Sequence, residues 1–131
     1  LLPILHRVQE ARGWITREAM EEVAAYLGIP PVEVQGVVSF YPMFRREPCG
    51  RHVVSVCKNI SCHLTGCGAV LAAIEQRFGV RPGATSAGGE FTLLAVQCLG
   101  ACGYGPMMDV DGSYHENLTP QRAVQLLEGL R

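Results

Sequence analysis

Two closely spaced cysteine pairs, each placed after a β-like run, constrain this 131-residue chain more than any other feature. The runs are His52-Val-Val-Ser-Val before Cys57 and Cys62, and Phe91-Thr-Leu-Leu-Ala-Val-Gln before Cys98 and Cys102. We expect each pair to occupy a tight loop at a strand end. Four thiolates brought together by two strand ends suit a soft metal centre. The pattern therefore predicts metal-based electron transfer.

Composition narrows the classes of protein to consider. The formal net charge of -1 gives no basic surface for nucleic acid. No uninterrupted apolar run is long enough to span a bilayer, and no signal peptide is evident, although a chain that starts at Leu1 can lack a natural N-terminal segment. Six cysteines in a chain with ordinary hydrophobic content favour metal ligation over a disulfide-built fold.

The chain is expected to divide near Pro48, with a helical lead-in over residues 1–48 and an α/β domain over residues 51–131. Apolar spacing and capping residues predict helices over residues 1–12, 17–27 and 31–38. The later pattern predicts strands over residues 52–57 and 91–97, a helix over 68–78, a hairpin around Asp111-Gly112 and a last helix from Thr119-Pro120 to Leu130. This order indicates an α/β domain with a mixed sheet behind a small helical bundle.

A [2Fe–2S] cluster requires four thiolates in two close pairs, because its two irons share bridging sulfides. Gly100, Gly103 and Gly105 stand within and after the second pair, where backbone N–H groups could approach the sulfurs. The run Cys98-Leu-Gly-Ala-Cys102-Gly-Tyr-Gly-Pro106 is therefore more specific than cysteine spacing alone.

These residues resemble the thioredoxin-like [2Fe–2S] subunit of the NADH-oxidising module of respiratory complex I. The resemblance lies in Gly36-Val-Val-Ser-Phe-Tyr41, Cys57-x4-Cys62, Cys98-Leu-Gly-Ala-Cys102, Gly105-Pro-Met-Met108 and Tyr114-His-Glu-Asn-Leu-Thr-Pro120. It covers nearly the whole chain, including the helical lead-in. Close relatives of that subunit also serve NAD-linked formate dehydrogenases and hydrogenases, and the sequence does not choose among the parent enzymes.

The resemblance implies a thioredoxin-like fold, with Cys57, Cys62, Cys98 and Cys102 as the ligands of a [2Fe–2S] cluster. It implies a larger flavoprotein partner that binds FMN and NADH, together with further iron–sulfur subunits. It also implies a cytoplasmic location, peripheral to the membrane through the complex. The isolated chain would then be an electron carrier rather than the site of hydride transfer.

Cysteine spacing alone does not decide which four cysteines are the ligands, because the chain contains two more. Cys67 follows Cys62 at the same interval that separates Cys57 from Cys62, so spacing alone allows Cys62 and Cys67 as the pair. Position favours Cys57, because it ends a strand whereas Cys67 falls where a helix begins. Cys49 lies in a Pro-Cys-Gly turn and is expected to be a bystander. His63 lacks the second Cys–His pair of a Rieske centre.

Two other classes of function compete with electron transfer. A structural zinc module could use the same four cysteines, although zinc needs no glycine-rich surroundings. A thiol–disulfide oxidoreductase normally carries Cys-x-x-Cys at a helix N-terminus, which this chain lacks. No dinucleotide-binding glycine motif and no phosphate-binding loop is present, so no hydride chemistry is expected from this chain itself.

Overall fold

A computed structural model describes residues 1–130, which form two compact units that meet in sequence between Cys49 and Gly50. The elements run in the order of three helices, a strand, two helices, three strands and a final helix, with a short 3₁₀ turn before the last two strands. None of the helices within residues 1–130 combines the length and the apolar character needed to cross a membrane.

The first unit is built from α1 (Leu2–Arg12), α2 (Arg17–Leu27) and α3 (Pro31–Phe40). The side chain of Thr16 accepts a hydrogen bond from the Ala19 N–H and caps α2, as the sequence suggested. One buried polar side chain holds the chain that follows α3, since Gln9 donates to the Met43 carbonyl at 2.9 Å and accepts from the Arg45 N–H at 2.7 Å. The core of this unit consists of Leu5, Ile15, Ala19, Val23, Ala24, Val34, Val38 and Phe44.

The second unit contains a four-stranded mixed sheet in the order β2-β1-β3-β4. Its strands are β1 (His52–Cys57), β2 (Phe91–Val96), β3 (Met108–Val110) and β4 (Ser113–His115). Strand β1 pairs in parallel with β2, so that Cys57 lies opposite Val96, and it pairs antiparallel with β3. Strands β3 and β4 form the hairpin expected around Asp111-Gly112. The parallel pairing brings the carboxyl ends of β1 and β2 to one edge of the sheet.

Three helices complete the second unit: α4 (Ile60–Thr65), α5 (Cys67–Phe78) and α6 (Pro120–Glu128). Helices α5 and α6 bury Val70, Ile74, Ala123 and Leu127 in the same core as Val54, Val56, Leu93 and Val110 of the sheet. These helices and the mixed sheet confirm the α/β fold class. The last helix ends at Glu128 rather than Leu130.

Helix α4 was not predicted, because the stretch between the first two cysteines was expected to be a tight loop. The structure shows a six-residue helix that starts after Asn59, whose Oδ1 accepts from the Ile60 N–H at 2.7 Å. Gly66, with a φ of 111°, ends α4 and directly precedes α5. A single turn and a half of helix is too short to give a periodic apolar pattern, and this explains why the sequence did not reveal it.

Candidate metal centre

The first pair, Cys57 and Cys62, is buried at the carboxyl edge of the sheet. Cys57 is the last residue of β1 and Cys62 lies in α4, and their exposed fractions are 2% and 1%. The Cys57 N–H donates to the Met107 carbonyl at 3.1 Å, and the next N–H, that of Lys58, donates to the Val96 carbonyl at 2.8 Å. These bonds fix the end of β1, so the Cys57 thiol is presented by rigid backbone.

The second pair, Cys98 and Cys102, is exposed and lies just beyond β2. Cys102 opens the 3₁₀ turn Cys102–Tyr104, and its Sγ stands 3.7 Å from the Sγ of Cys98. Two thiolates on one tetrahedral metal with bonds of about 2.3 Å would be about 3.8 Å apart. The Gly100 N–H donates to the Cys98 Sγ at 3.3 Å, and the φ of Gly100 is 81°. The backbone thus turns an N–H towards the sulfur, as the glycines suggested.

Side-chain and backbone contacts join the two pairs into one site. The Ser61 hydroxyl of α4 donates to the carbonyl of Cys102, and the Cys57 thiol donates to the Gln97 carbonyl at 3.6 Å. The Cys57 thiol also influences the pKa of Cys62 and that of Cys98. All four predicted ligand residues therefore lie together at one end of the sheet.

Their surroundings shift the pKa of Cys62 and of both members of the second pair. Burial, together with the neighbouring Cys57 thiol and its charge, raises the pKa of Cys62 to about 11. Hydrogen bonds from the Gly100 N–H and the Asn59 side chain lower the pKa of Cys98. The hydrogen bond with Cys98 and the charge of that neighbour raise the pKa of Cys102. Cys98 is therefore the thiol of the second pair that ionises first.

The arrangement in two pairs bears on which metal group the residues fit. Among residues 1–130, no three His, Cys, Asp or Glu side chains converge on one point where a single metal ion could sit. A lone zinc ion needs four ligands around one centre. A [2Fe–2S] cluster instead needs two thiolates at each of two irons. The two thiol pairs, with 3.7 Å between the sulfurs of Cys98 and Cys102, are the donor set that the binuclear cluster requires.

The remaining cysteines take the positions expected of them. Cys67 is the first residue of α5 and is 2% exposed, in the same core as the first pair. Cys49 belongs to the first unit, and its thiol donates to the Glu47 carbonyl at 3.6 Å. His63 is exposed on α4.

Comparison with known proteins decides the family. The family model for the thioredoxin-like [2Fe–2S] ferredoxin matches residues 1–131. The chain belongs to this family. As a thioredoxin-like [2Fe–2S] ferredoxin it has a [2Fe–2S] cluster as its cofactor, which confirms the expectation from the cysteine pairs.

Two curated relatives of this ferredoxin carry the same resemblance along nearly the whole chain. It is 44% identical over 121 residues to the E subunit of NADH-quinone oxidoreductase from Salmonella typhimurium, a match that covers 92% of this chain and 73% of that protein. It is 41% identical over 131 residues to the E 2 form of the same subunit from Rhizobium meliloti, a match that covers 100% of this chain and 78% of that protein. The resemblance inferred from the motifs is thereby confirmed.

The fold also matches a solved structure. The ferredoxin superposes on NAD+-reducing [NiFe]-hydrogenase in the H2-reduced state with a TM-score of 0.77 over 97% of this chain. The two sequences are 23% identical, and the match spans 22% of the hydrogenase chain. This likeness supports the fold.

Sequence reasoning missed the residues that hold the cysteines in place. Asn59 caps α4 and contacts Cys98, whereas Ser61 bonds to the Cys102 carbonyl. Asparagine is a preferred helix cap, so Asn59 offered a signal that could have been found. Nothing in the spacing pointed to Ser61, because its partner lies 41 residues further along the chain.

Proposed function

We propose that this ferredoxin is the [2Fe–2S] electron-transfer subunit of NADH:quinone oxidoreductase and exchanges single electrons with the FMN of a partner flavoprotein. Cys57, Cys62, Cys98 and Cys102 are its four ligands. The observation that carries the proposal is the meeting of two thiol pairs at one sheet edge, in a chain similar over its whole length to curated subunits of that enzyme. A [2Fe–2S] cluster supplies one-electron exchange when it is bound.

The chain's own residues would position and tune this centre. The buried first pair anchors one side through β1 and α4. The exposed second pair, with the Gly100 N–H on the Cys98 sulfur, forms the outer side. Hydrogen bonds to the sulfurs and solvent exposure are the protein's means of setting a reduction potential. Exchange with a partner therefore takes place at the side of Cys98 and Cys102.

The surface around the second pair supports a protein partner. Ile60, Leu64 and Tyr104 are exposed by 65%, 77% and 57%, and all belong to the two cysteine-bearing segments. Neither segment, residues 58–66 or 97–105, contains an aspartate or glutamate, whereas Lys58 adds a positive charge. Large exposed apolar side chains near an exposed redox site favour docking over solvation. The partner is the FMN- and NADH-binding flavoprotein, with further iron–sulfur subunits beyond it.

The location follows from this assembly. The chain would lie in the cytoplasm and reach the membrane only through the larger complex. Affinity purification of the tagged chain from its native host, followed by mass spectrometry, tests the parent enzyme. Recovery of a flavoprotein with quinone-reducing subunits supports the proposal, whereas recovery with a formate dehydrogenase or hydrogenase catalytic subunit contradicts the choice of complex.

Anaerobic reconstitution tests the cofactor and its ligands. We expect about two irons and two sulfides per chain and an EPR signal on reduction. Cys62→Ser, Cys98→Ser and Cys102→Ser should abolish wild-type loading, whereas Cys49→Ser should match the parent. Binding of one equivalent of zinc with no colour in the reconstituted parent chain would contradict electron transfer.

A further inference from the structure

We propose that Cys98 and Cys102 form a reversible disulfide in the metal-free chain, and that this disulfide blocks cluster loading until it is reduced. The inference rests on the proposed function, because it assumes that both cysteines are cluster ligands. A chain with this pair oxidised keeps only two of the four thiolates that a [2Fe–2S] cluster needs. The disulfide is thus a modification of the unassembled chain that controls when the cofactor can enter.

The sulfurs of the second pair already lie near bonding distance. They are 3.7 Å apart, and the S–S bond of a disulfide is about 2.0 Å long, so the two atoms have to approach by less than about 2 Å. Rotation about a Cα–Cβ bond can move a sulfur by that amount. Only three residues separate the cysteines, and the φ of 81° at Gly100 lets the chain fold back over this interval. The fold itself need not rearrange for the bond to form.

Two hydrogen bonds brace the loop that carries the second pair. The Ser61 hydroxyl donates to the carbonyl of Cys102, and the Tyr114 hydroxyl donates to the Leu99 carbonyl at 2.8 Å. Both partners come from outside the loop, one from α4 and one from β4. Two reacting groups held next to each other react faster than the same groups free in solution. The braced loop therefore favours closure of the pair over reaction with a second small molecule.

Access to an oxidant differs between the two pairs. Cys98 and Cys102 are exposed, whereas Cys57 and Cys62 are 2% and 1% exposed. The Cys57 thiol is also engaged by the Gln97 carbonyl at 3.6 Å. Thiol–disulfide exchange requires that the attacking sulfur reach the oxidant. Oxidation of the folded chain should therefore be confined to the second pair.

A small disulfide such as oxidised glutathione supplies the oxidising equivalents. The thiolate of one cysteine attacks a sulfur of glutathione disulfide, which breaks that S–S bond, releases one glutathione thiolate and leaves a mixed disulfide on the protein. The thiolate of the other cysteine attacks the protein sulfur of the mixed disulfide, forms the bond between Cys98 and Cys102 and releases the second glutathione. The protein loses two electrons and two protons, and the small disulfide is reduced to two thiols. Excess thiol reverses both steps.

Peptide mass spectrometry tests the bond. The reduced, metal-free full chain is treated anaerobically with oxidised glutathione, and the remaining thiols are blocked with N-ethylmaleimide. We expect a disulfide between Cys98 and Cys102 with no glutathione attached. Cys98→Ser and Cys102→Ser should each retain glutathione on the remaining cysteine, because the thiol that would displace it is gone. Cys49→Ser is the matched control and should form the disulfide at the rate of the parent.

Cluster transfer tests the block. A scaffold protein loaded with a [2Fe–2S] cluster is mixed with the reduced chain, the oxidised chain, or the oxidised chain that has been reduced with a phosphine and desalted. Visible absorption after separation measures the cluster acquired, and far-UV circular dichroism reports folding. We expect the oxidised chain to acquire about tenfold less cluster than the reduced chain, since two of the four thiolates are missing. Reduction should restore the transfer.

Four results would overturn these expectations. A second pair that stays reduced, or a disulfide that joins Cys57 to Cys98, refutes the proposed bond. Glutathione that remains on Cys98 or Cys102 of the parent chain shows that the two sulfurs do not close. Equal cluster transfer into the folded oxidised and reduced chains refutes the block. A reduced chain that acquires no cluster refutes the proposed function itself, whatever the mass spectra show.

Discussion

Gly105 lies directly against Cys62. A β-carbon added to Gly105 would stand 3.1 Å from the Cys62 Sγ and 2.8 Å from the Thr65 Oγ1. The backbone that follows the second pair therefore reaches the buried thiol of the first pair. Any side chain at this position would force the two cysteine-bearing segments apart.

Gly105→Ala is therefore expected to destabilise the chain by about 1–3 kcal/mol, the usual cost of overpacking. It should also lower iron loading, because it displaces Cys62. Gly103→Ala is the matched control, since a β-carbon there meets nothing within 4 Å. Urea unfolding and iron content check both variants. Equal iron loading in the two variants would show that the close approach is not needed.

The loop of the second pair is held by a phenol from β4. The Tyr114 hydroxyl donates to the Leu99 carbonyl at 2.8 Å, between Cys98 and Cys102. Tyr114→Phe removes that donor and keeps the ring, so we expect faster amide hydrogen exchange over residues 99–104 and faster loss of iron in air. Tyr104→Phe removes an exposed hydroxyl of the same kind. Should Tyr104→Phe accelerate exchange as much as Tyr114→Phe, the hydrogen bond to Leu99 is not the cause.

The metal-free chain should alkylate selectively at Cys98. Its pKa is lowered, chiefly by the Gly100 N–H, whereas the pKa of Cys102 is raised by Cys98. A lowered pKa keeps the thiolate populated at lower pH, so Cys98 should react with iodoacetamide faster than Cys102 near pH 7. The difference should shrink as the pH rises above 9 and both thiols ionise. Peptide mass spectrometry after timed quenching gives both rates.

A reversed order, with Cys102 faster at pH 7, would contradict the assignment. Asn59→Ala supplies an internal check, because the Asn59 side chain is one of the donors to Cys98. We expect its loss to slow alkylation of Cys98 at pH 7 while leaving the rate at high pH unchanged.

The first unit depends on Gln9. Its amide group makes two hydrogen bonds to backbone groups 34 and 36 residues away, at Met43 and Arg45. Gln9→Ala leaves both backbone groups without this partner, and we expect a loss of about 1–3 kcal/mol in the free energy of unfolding. Gln35→Ala, at an exposed position of α3, should change it by less than about 0.5 kcal/mol. Equal losses in the free energy of unfolding for the two variants would show that the hydrogen bonds of Gln9 do not stabilise the first unit.

The sequence predicted the secondary-structure elements that have a regular apolar pattern or a clear turn signal. Helices α1, α2 and α5, strands β1 and β2, and the hairpin at Asp111-Gly112 all carry periodic apolar residues or a turn signal. It also indicated that Cys57, Cys62, Cys98 and Cys102 belong together, because strand ends after βα-type connections meet at one edge of a sheet.

The rest depended on contacts between distant residues. The sequence did not predict α4, because six residues give too little periodicity. The contact of Gly105 with Cys62 spans 43 residues and depends on the final packing of two segments. The difference in exposure between the two pairs likewise depends on which elements cover each thiol. It could not be predicted from the composition of the chain.

The parallel pairing of β1 with β2 has a consequence for biogenesis. Cys57 and Cys98 come together only after His52 and Phe91 have found each other across 39 residues of chain. Such non-local pairing is intrinsically slow to form. A nascent or misfolded polypeptide therefore contains every cysteine but has no assembled metal-binding site. Cluster binding would therefore require a completed sheet, and the visible absorption of the cluster would appear only in chains that have formed it.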